Sequence, residues 1–93
     1  MKAIQINNTG GAEVLVLRDV PDPFPGTGEV LIRVDAAGVN FSDIMWRRGD
    51  YDVETPLPFI PGAEVAGTIV ALGPDVTGFS IGMPVVSAPP SGG

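Results

Sequence analysis

Apolar and polar positions alternate along much of the chain, and turn-forming residues cut the alternation into short lengths. Lys2–Ile6 alternates and predicts a first strand, ended by Asn8-Thr9-Gly10-Gly11, a run suited to reversing direction. Val14–Arg18 predicts a second strand. Pro21-Asp22-Pro23-Phe24-Pro25-Gly26 stops it, because proline cannot donate to a ladder. Glu29–Ala37 has the cleanest period of two: Val30, Ile32, Val34 and Ala36 share one face, Arg33 and Asp35 the other. Gly38 breaks it. Asn40–Arg48 is the one segment that predicts a helix, about two turns long, with Gly49 placed to close it. Asp50–Gly62 predicts a loop, since Pro56, Pro58 and Pro61 each lack a backbone donor. Ala63–Leu72 is apolar on both faces and predicts a buried central strand. Gly73-Pro74-Asp75 turns the chain, and Pro84–Ser87 predicts a last short strand. Valine and isoleucine far outnumber leucine, and β-branched side chains favour a pleated surface over a helix. The expected fold is one turn-rich, mostly β domain.

Composition narrows the partners. Gly 13 and Pro 10 approach a low-complexity make-up, but 44% hydrophobic residues supply a core. Five basic against eleven acidic residues leave a net charge of −6, which repels phosphate backbones and anionic membranes. No nucleic-acid or membrane partner is expected. Arg47-Arg48 is the only basic doublet, and a doublet there suits a solvated helix end. No apolar run approaches the ~20 residues of a membrane span, and the first residues do not resemble a signal peptide. With Cys 0 there is no disulfide frame and no thiol chemistry. These features predict a soluble, cytoplasmic protein.

Several reaction classes lack their residues. His 0 and Cys 0 remove the usual zinc ligands and the imidazole base of a hydrolase triad. Asp50, Asp52 and Glu54 imitate the opening of a calcium loop. Thr55 then stands where that loop needs glycine, and Pro61 where it needs glutamate. Lys2, the only lysine, sits at the terminus, a poor place for a desolvated amine nucleophile. Gly26-Thr27-Gly28 leads into a strand, with Leu31 in place of the third glycine of a dinucleotide fingerprint. No metal site and no nucleotide site is legible.

What remains is Ala36-Ala37-Gly38-Val39-Asn40-Phe41-Ser42-Asp43, then Arg47-Arg48-Gly49-Asp50-Tyr51, then Leu57-Pro58-Phe59-Ile60-Pro61-Gly62-Ala63-Glu64-Val65-Ala66-Gly67. In that order and spacing the chain resembles the medium-chain dehydrogenase/reductases, specifically the N-terminal GroES-like catalytic domain of zinc-independent NADPH:quinone oxidoreductases. The resemblance runs from Met1-Lys2-Ala3 through Gly82. It implies a partly open GroES-like β-barrel with one short helix, spanning residues 1–93 as a fragment of a longer reductase. The Rossmann domain that completes such enzymes is absent from this chain. It further implies reduction of quinones or other conjugated carbonyls (enones) by hydride from NADPH, a cofactor held mainly by that domain. This chain alone is then expected to be inactive.

Departures from the family's pattern sharpen the expectation. Zinc alcohol dehydrogenases of the superfamily carry a cysteine ligand where this chain has Asn40, and a histidine ligand where it has Ala63. Both replacements point to the branch without catalytic zinc, where hydrogen bonds must polarise the carbonyl. Gly82-Met83-Pro84-Val85 replaces a Gly-Asp-Arg-Val, and Met45 replaces a tyrosine common in quinone reductases.

Each candidate also has a plain structural role. Asn40 and Asp43, three apart at a helix start, fit a cap with an N3 acid. The resemblance adds that the counterparts of Asn40 lie beside the nicotinamide, so Asn40 is a catalytic and cofactor-binding candidate. Tyr51 is either an amphipathic filler or a second catalytic group. Glu64, opening a buried strand, is expected to be structural and ion-paired to an arginine outside this chain. Phe41, Ile44, Met45 and Trp46 fall at helix spacing and suit core packing. Phe41 and Met45 could equally wall a substrate pocket. A second function class stays open, a non-enzymatic co-chaperonin-like β-barrel. Such a module needs a long mobile loop, and Pro21, Pro23 and Pro25 stiffen the one candidate. Sheet edges and an apolar face left uncovered predict self-association as a homodimer.

Overall fold

The computed structural model describes residues 1–89. Strand β1 (Lys2–Gln5) pairs antiparallel with β2 (Val16–Asp19), and Lys2 stands opposite Asp19. Their side chains form an exposed ion pair at 2.7 Å, so the single lysine is a ladder-end charge. Val14, expected in the second strand, belongs instead to a 3-10 turn over Ala12–Val14. The Glu13 carboxylate accepts the Gly11 N–H at 3.2 Å and steadies that turn.

Strands β3 (Val30–Ala37), β4 (Val65–Leu72) and β5 (Pro84–Ser87) form an antiparallel sheet in the order β3-β4-β5. The apolar strand is therefore central, as its pattern predicts. It is less buried than expected: only Gly67 and Ile69 lie fully inside, and Val70 is exposed. The period of two in β3 is interrupted at Leu31/Ile32 and again at Val34/Ala36, leaving Asp35 without a partner in register. Such irregularities bend a strand and redirect its side chains. Val34 is accordingly exposed, whereas Ile32 is half-buried.

Helix α1 (Phe41–Arg48) is the one α-helix among the described residues. Gly49 ends it at φ 77°, a left-handed conformation that costs glycine little. The Gly49 N–H reaches the Trp46 carbonyl at 3.2 Å and the Asp50 N–H reaches that of Met45 at 3.0 Å, the paired bonds of a glycine-closed helix end. Arg47 differs from the solvated end expected of it. Its Nε donates to the Gly10 carbonyl at 3.1 Å, while the Gly10 N–H donates to the Arg47 carbonyl at 3.0 Å. The helix is thereby stitched to the first turn; Arg48 stays exposed.

The interior is small. Ile6, Phe59 and Ile69 are its buried apolar side chains. Ile6 and Phe59 exchange two backbone hydrogen bonds, at 2.8 and 3.0 Å, tying the N-terminal strand to the proline-rich loop. The Trp46 ring lies 5.8 Å from Phe59 and 4.4 Å from Tyr51. Thr55 is buried beneath this cluster, and its hydroxyl donates to the Trp46 carbonyl at 2.6 Å. Thr55→Val removes that bond and leaves the Trp46 carbonyl with only the longer bond from the Gly49 N–H, at 3.2 Å. A loss of about 1–2 kcal/mol in urea unfolding is expected; an unchanged midpoint would mean the hydroxyl contributes nothing.

The chain exposes 6163 Å² of surface, where a folded monomer of its mass exposes about 5,100 Å². Its radius of gyration is 14.1 Å, against about 12 Å for a compact chain of this length. Phe24 (89% exposed) and Val86 (84%) stand out from the surface with no cover.

Candidate functional site

The candidate site forms where β3 ends, β4 begins and α1 starts. Gly38 leaves β3, and its N–H donates to the Glu64 carbonyl at 3.0 Å, holding the two strand ends together. Two residues on, Asn40 is extended (φ −121°, ψ 161°) and caps the helix. Asn40 and Asp43 form a capping box in which the Asp43 carboxylate accepts the Asn40 backbone N–H at 2.9 Å. The acid at the third helical position is engaged as its spacing predicts, while the Asp43 N–H donates to the Asn40 backbone carbonyl at 3.1 Å. Asp43→Ala should lower stability by about 1 kcal/mol, measured by thermal unfolding; an unmoved midpoint would show that the cap is dispensable.

Asn40 also reaches across to β4. Its Nδ2 donates to Glu64 Oε2 at 3.4 Å, linking residues 24 apart in sequence. Glu64 was expected to open a buried strand and to need an ionic partner. It lies just before β4 and is exposed, so water solvates the charge, and Asn40 is the side-chain partner it has among the described residues. An open cleft of about 670 Å³ lies alongside, lined by small apolar residues such as Ala36, Ala37, Ala66 and Val86, with Glu64 its one charge.

The other candidates are distributed along the helix. Phe41, in its first turn, is 70% exposed, so the core packing expected of it does not occur. Met45 and Trp46 are half-buried, with Trp46 facing the Phe59 cluster. Tyr51 follows the far end of the helix, half-buried against Trp46. Eight residues at 1.5 Å rise put the two helix ends about 12 Å apart. Asn40, Asp43 and Glu64 are thus brought together, and Tyr51 is not joined to them. In the sequence, Gly38 reads only as a strand breaker. A side chain there would strike the Glu64 carboxylate, so its smallness makes room for the Asn40–Glu64 contact. The one available signal was its place between small residues two positions before Asn40.

Among the described residues no cluster of three or more acidic, histidine or cysteine side chains is placed to hold a metal ion. None of their helices is long and apolar enough to cross a membrane.

Among the described residues the architecture is two open antiparallel sheets, one short capped helix and an amide–carboxylate pair at the strand ends. The chain belongs to the alcohol dehydrogenase GroES-like domain family, whose model matches residues 26–92. It is 46% identical over 83 residues to the quinone oxidoreductase of Lama guanicoe, covering 88% of this chain and 25% of that protein. Among solved structures, human synaptic vesicle membrane protein VAT-1 homolog-like protein superposes with a TM-score of 0.94 at 38% identity, covering 99% of this chain and 30% of that one. A mycobacterial protein complexed with NADPH superposes with a TM-score of 0.90 at 49% identity, covering 99% and 29%. The chain thus spans about a quarter of the length of the curated relatives it matches. The resemblance to the quinone oxidoreductases drawn from residues 36–67 is borne out, and so is the GroES-like fold.

Proposed function

We propose that this chain is the GroES-like catalytic portion of a longer, zinc-independent reductase that passes hydride from NADPH to a quinone or another conjugated carbonyl. The observation that carries it is Asn40, an exposed amide hydrogen-bonded to Glu64 on the wall of an apolar cleft, in a chain 46% identical to a quinone oxidoreductase. When bound, NADPH supplies the hydride. The small apolar walls of the cleft suit the flat ring of its nicotinamide end. The Asn40 amide, outside the lining but bonded to Glu64 within it, suits a carbonyl or carboxamide oxygen. The walls do not suit the phosphates, because no lysine or arginine lines the cleft. Grip on the pyrophosphate therefore belongs to a glycine-rich turn and helix outside this chain.

On this reading Asn40 orients the reacting carbonyl or carboxamide by hydrogen bonding. Phe41 and Met45, on α1 and outside the lining of the cleft, offer the substrate an apolar wall from the helix side. Tyr51, packed on Trp46 at the far end of the helix, is a weaker catalytic candidate than Asn40. The surplus of exposed surface is the area that the rest of the reductase covers; in its absence a second copy of the chain is the expected cover, as a homodimer. Light scattering that reports a persistent monomer at high concentration would contradict the dimer.

The functional test is direct. The 93 residues alone should bind NADPH more weakly than micromolar in calorimetry and turn nothing over. The longer protein should oxidise NADPH in the presence of a benzoquinone. Micromolar binding by the chain alone would contradict the assignment of phosphate grip to another domain.

A further inference from the structure

We infer that Glu64 is a positioning residue that fixes the orientation of the Asn40 amide. The inference rests on the reductase reading for its consequence, and on geometry alone for the contact. A carboxylate can only accept hydrogen bonds, so the end of the amide turned toward Glu64 Oε2, at 3.4 Å, must be Nδ2. An unrestrained asparagine at an exposed site rotates between two faces that differ by exchange of a donor and an acceptor. A charged acceptor on one side removes that ambiguity, since the reversed amide would set its oxygen against the carboxylate. Nδ2 carries two hydrogens; one is committed to Glu64, and the second is left to donate to a bound ligand.

Two features place the carboxylate, and a third leaves the amide to it. The backbone bond from the Gly38 N–H to the Glu64 carbonyl fixes the height of residue 64 against the end of β3. The absence of a side chain at Gly38 provides the space that the carboxylate occupies. The Asp43 carboxylate, the other acid near Asn40, is engaged with the Asn40 backbone N–H and not with the amide. Division of labour follows: Asp43 holds the backbone of Asn40, and Glu64 holds its side chain. The pairing also favours ligands that present an acceptor to Asn40, such as a quinone or carboxamide oxygen, over ligands that present a carboxylate, which Glu64 repels.

The test has two arms. In the 93-residue chain, the Asn40 side-chain NH2 pair in a nitrogen–proton correlation spectrum reads the contact. The two protons should be widely separated, and the separation should collapse in Glu64→Ala while persisting in Glu64→Gln, whose amide oxygen can still accept. Gly38→Ala should collapse it too, with both acidic residues left intact, because its new methyl group displaces only the flexible carboxylate. In the longer reductase, Glu64→Ala should lower kcat about tenfold, the factor one hydrogen bond to a charged group carries, with KM for NADPH little changed and recovery in Glu64→Gln. Unaltered Asn40 signals in Glu64→Ala and Gly38→Ala would overturn the contact. Collapsed signals with unaltered kcat would overturn the positioning role. If the unmodified longer protein oxidises no NADPH, the reductase reading fails, and the spectra alone then decide whether Glu64 orients Asn40.

Discussion

Gly67→Val is expected to cost more than about 4 kcal/mol, which takes it out of the range of ordinary surface changes. Gly67 is buried in the central strand and faces Val34 in the β3–β4 ladder. A Cβ at this position would meet the Arg33 carbonyl oxygen and the Ile32 side chain of the neighbouring strand. Backbone cannot swing aside as a side chain can, so the two longest strands would have to separate. A chain of this length holds only about 5–14 kcal/mol of total stability, and its interior is small even for its size. The expected result is a largely unfolded product by circular dichroism. Gly38→Ala is the matched comparison, since its new methyl group meets an exposed, flexible carboxylate. It should cost less than about 1 kcal/mol. Equal stability of Gly67→Val and the unmodified chain would mean that β3 and β4 are not packed as described.

Phe59→Ala carries the next largest effect, about 3–5 kcal/mol. Phe59 is one of three buried apolar side chains among the described residues, is backbone-bonded to Ile6 through both its N–H and its carbonyl, and lies against Trp46. Its loss removes a ring from the interior and loosens the loop that carries Thr55. Trp46 fluorescence should shift toward that of a solvated indole in the same variant. A folded Phe59→Ala protein with unchanged emission and unchanged urea midpoint would place the core elsewhere.

The positions of the strands, the central place of β4 and the helix were legible because their signals are local. Alternation marks β3, apolar residues on both faces mark β4 as central, and Asn40 with Gly49 brackets the helix. The failures come where contacts between distant segments decide. The irregularity at Asp35 reverses the exposure expected of Val34, and nothing in the residues 29–37 alone announces it. The interior is assembled from Ile6, Phe59 and Ile69, three segments that no periodicity connects. Phe59 in particular sits in a proline-rich loop, a place where burial is not expected. Phe41 has helix spacing but no opposing surface within this chain, so spacing assigned it a neighbour it does not have. At the site, the cap formed by Asn40 and Asp43 is readable from a separation of three residues. The Asn40–Glu64 contact spans 24 residues and depends on the antiparallel pairing of β3 with β4, so only the folded chain reveals it.

The central claim is that Asn40 stands at the reacting end of a nicotinamide-dependent reductase. Steady-state kinetics of NADPH oxidation with a benzoquinone, comparing the longer protein with its Asn40→Ala variant, tests it most directly. The loss of a positioned donor should lower kcat/KM by about tenfold to a hundredfold, with the melting temperature lowered only by the weakened cap. An Asn40→Ala variant with unchanged kcat/KM would contradict the account, since the fold would then carry the chemistry without the residue assigned to it.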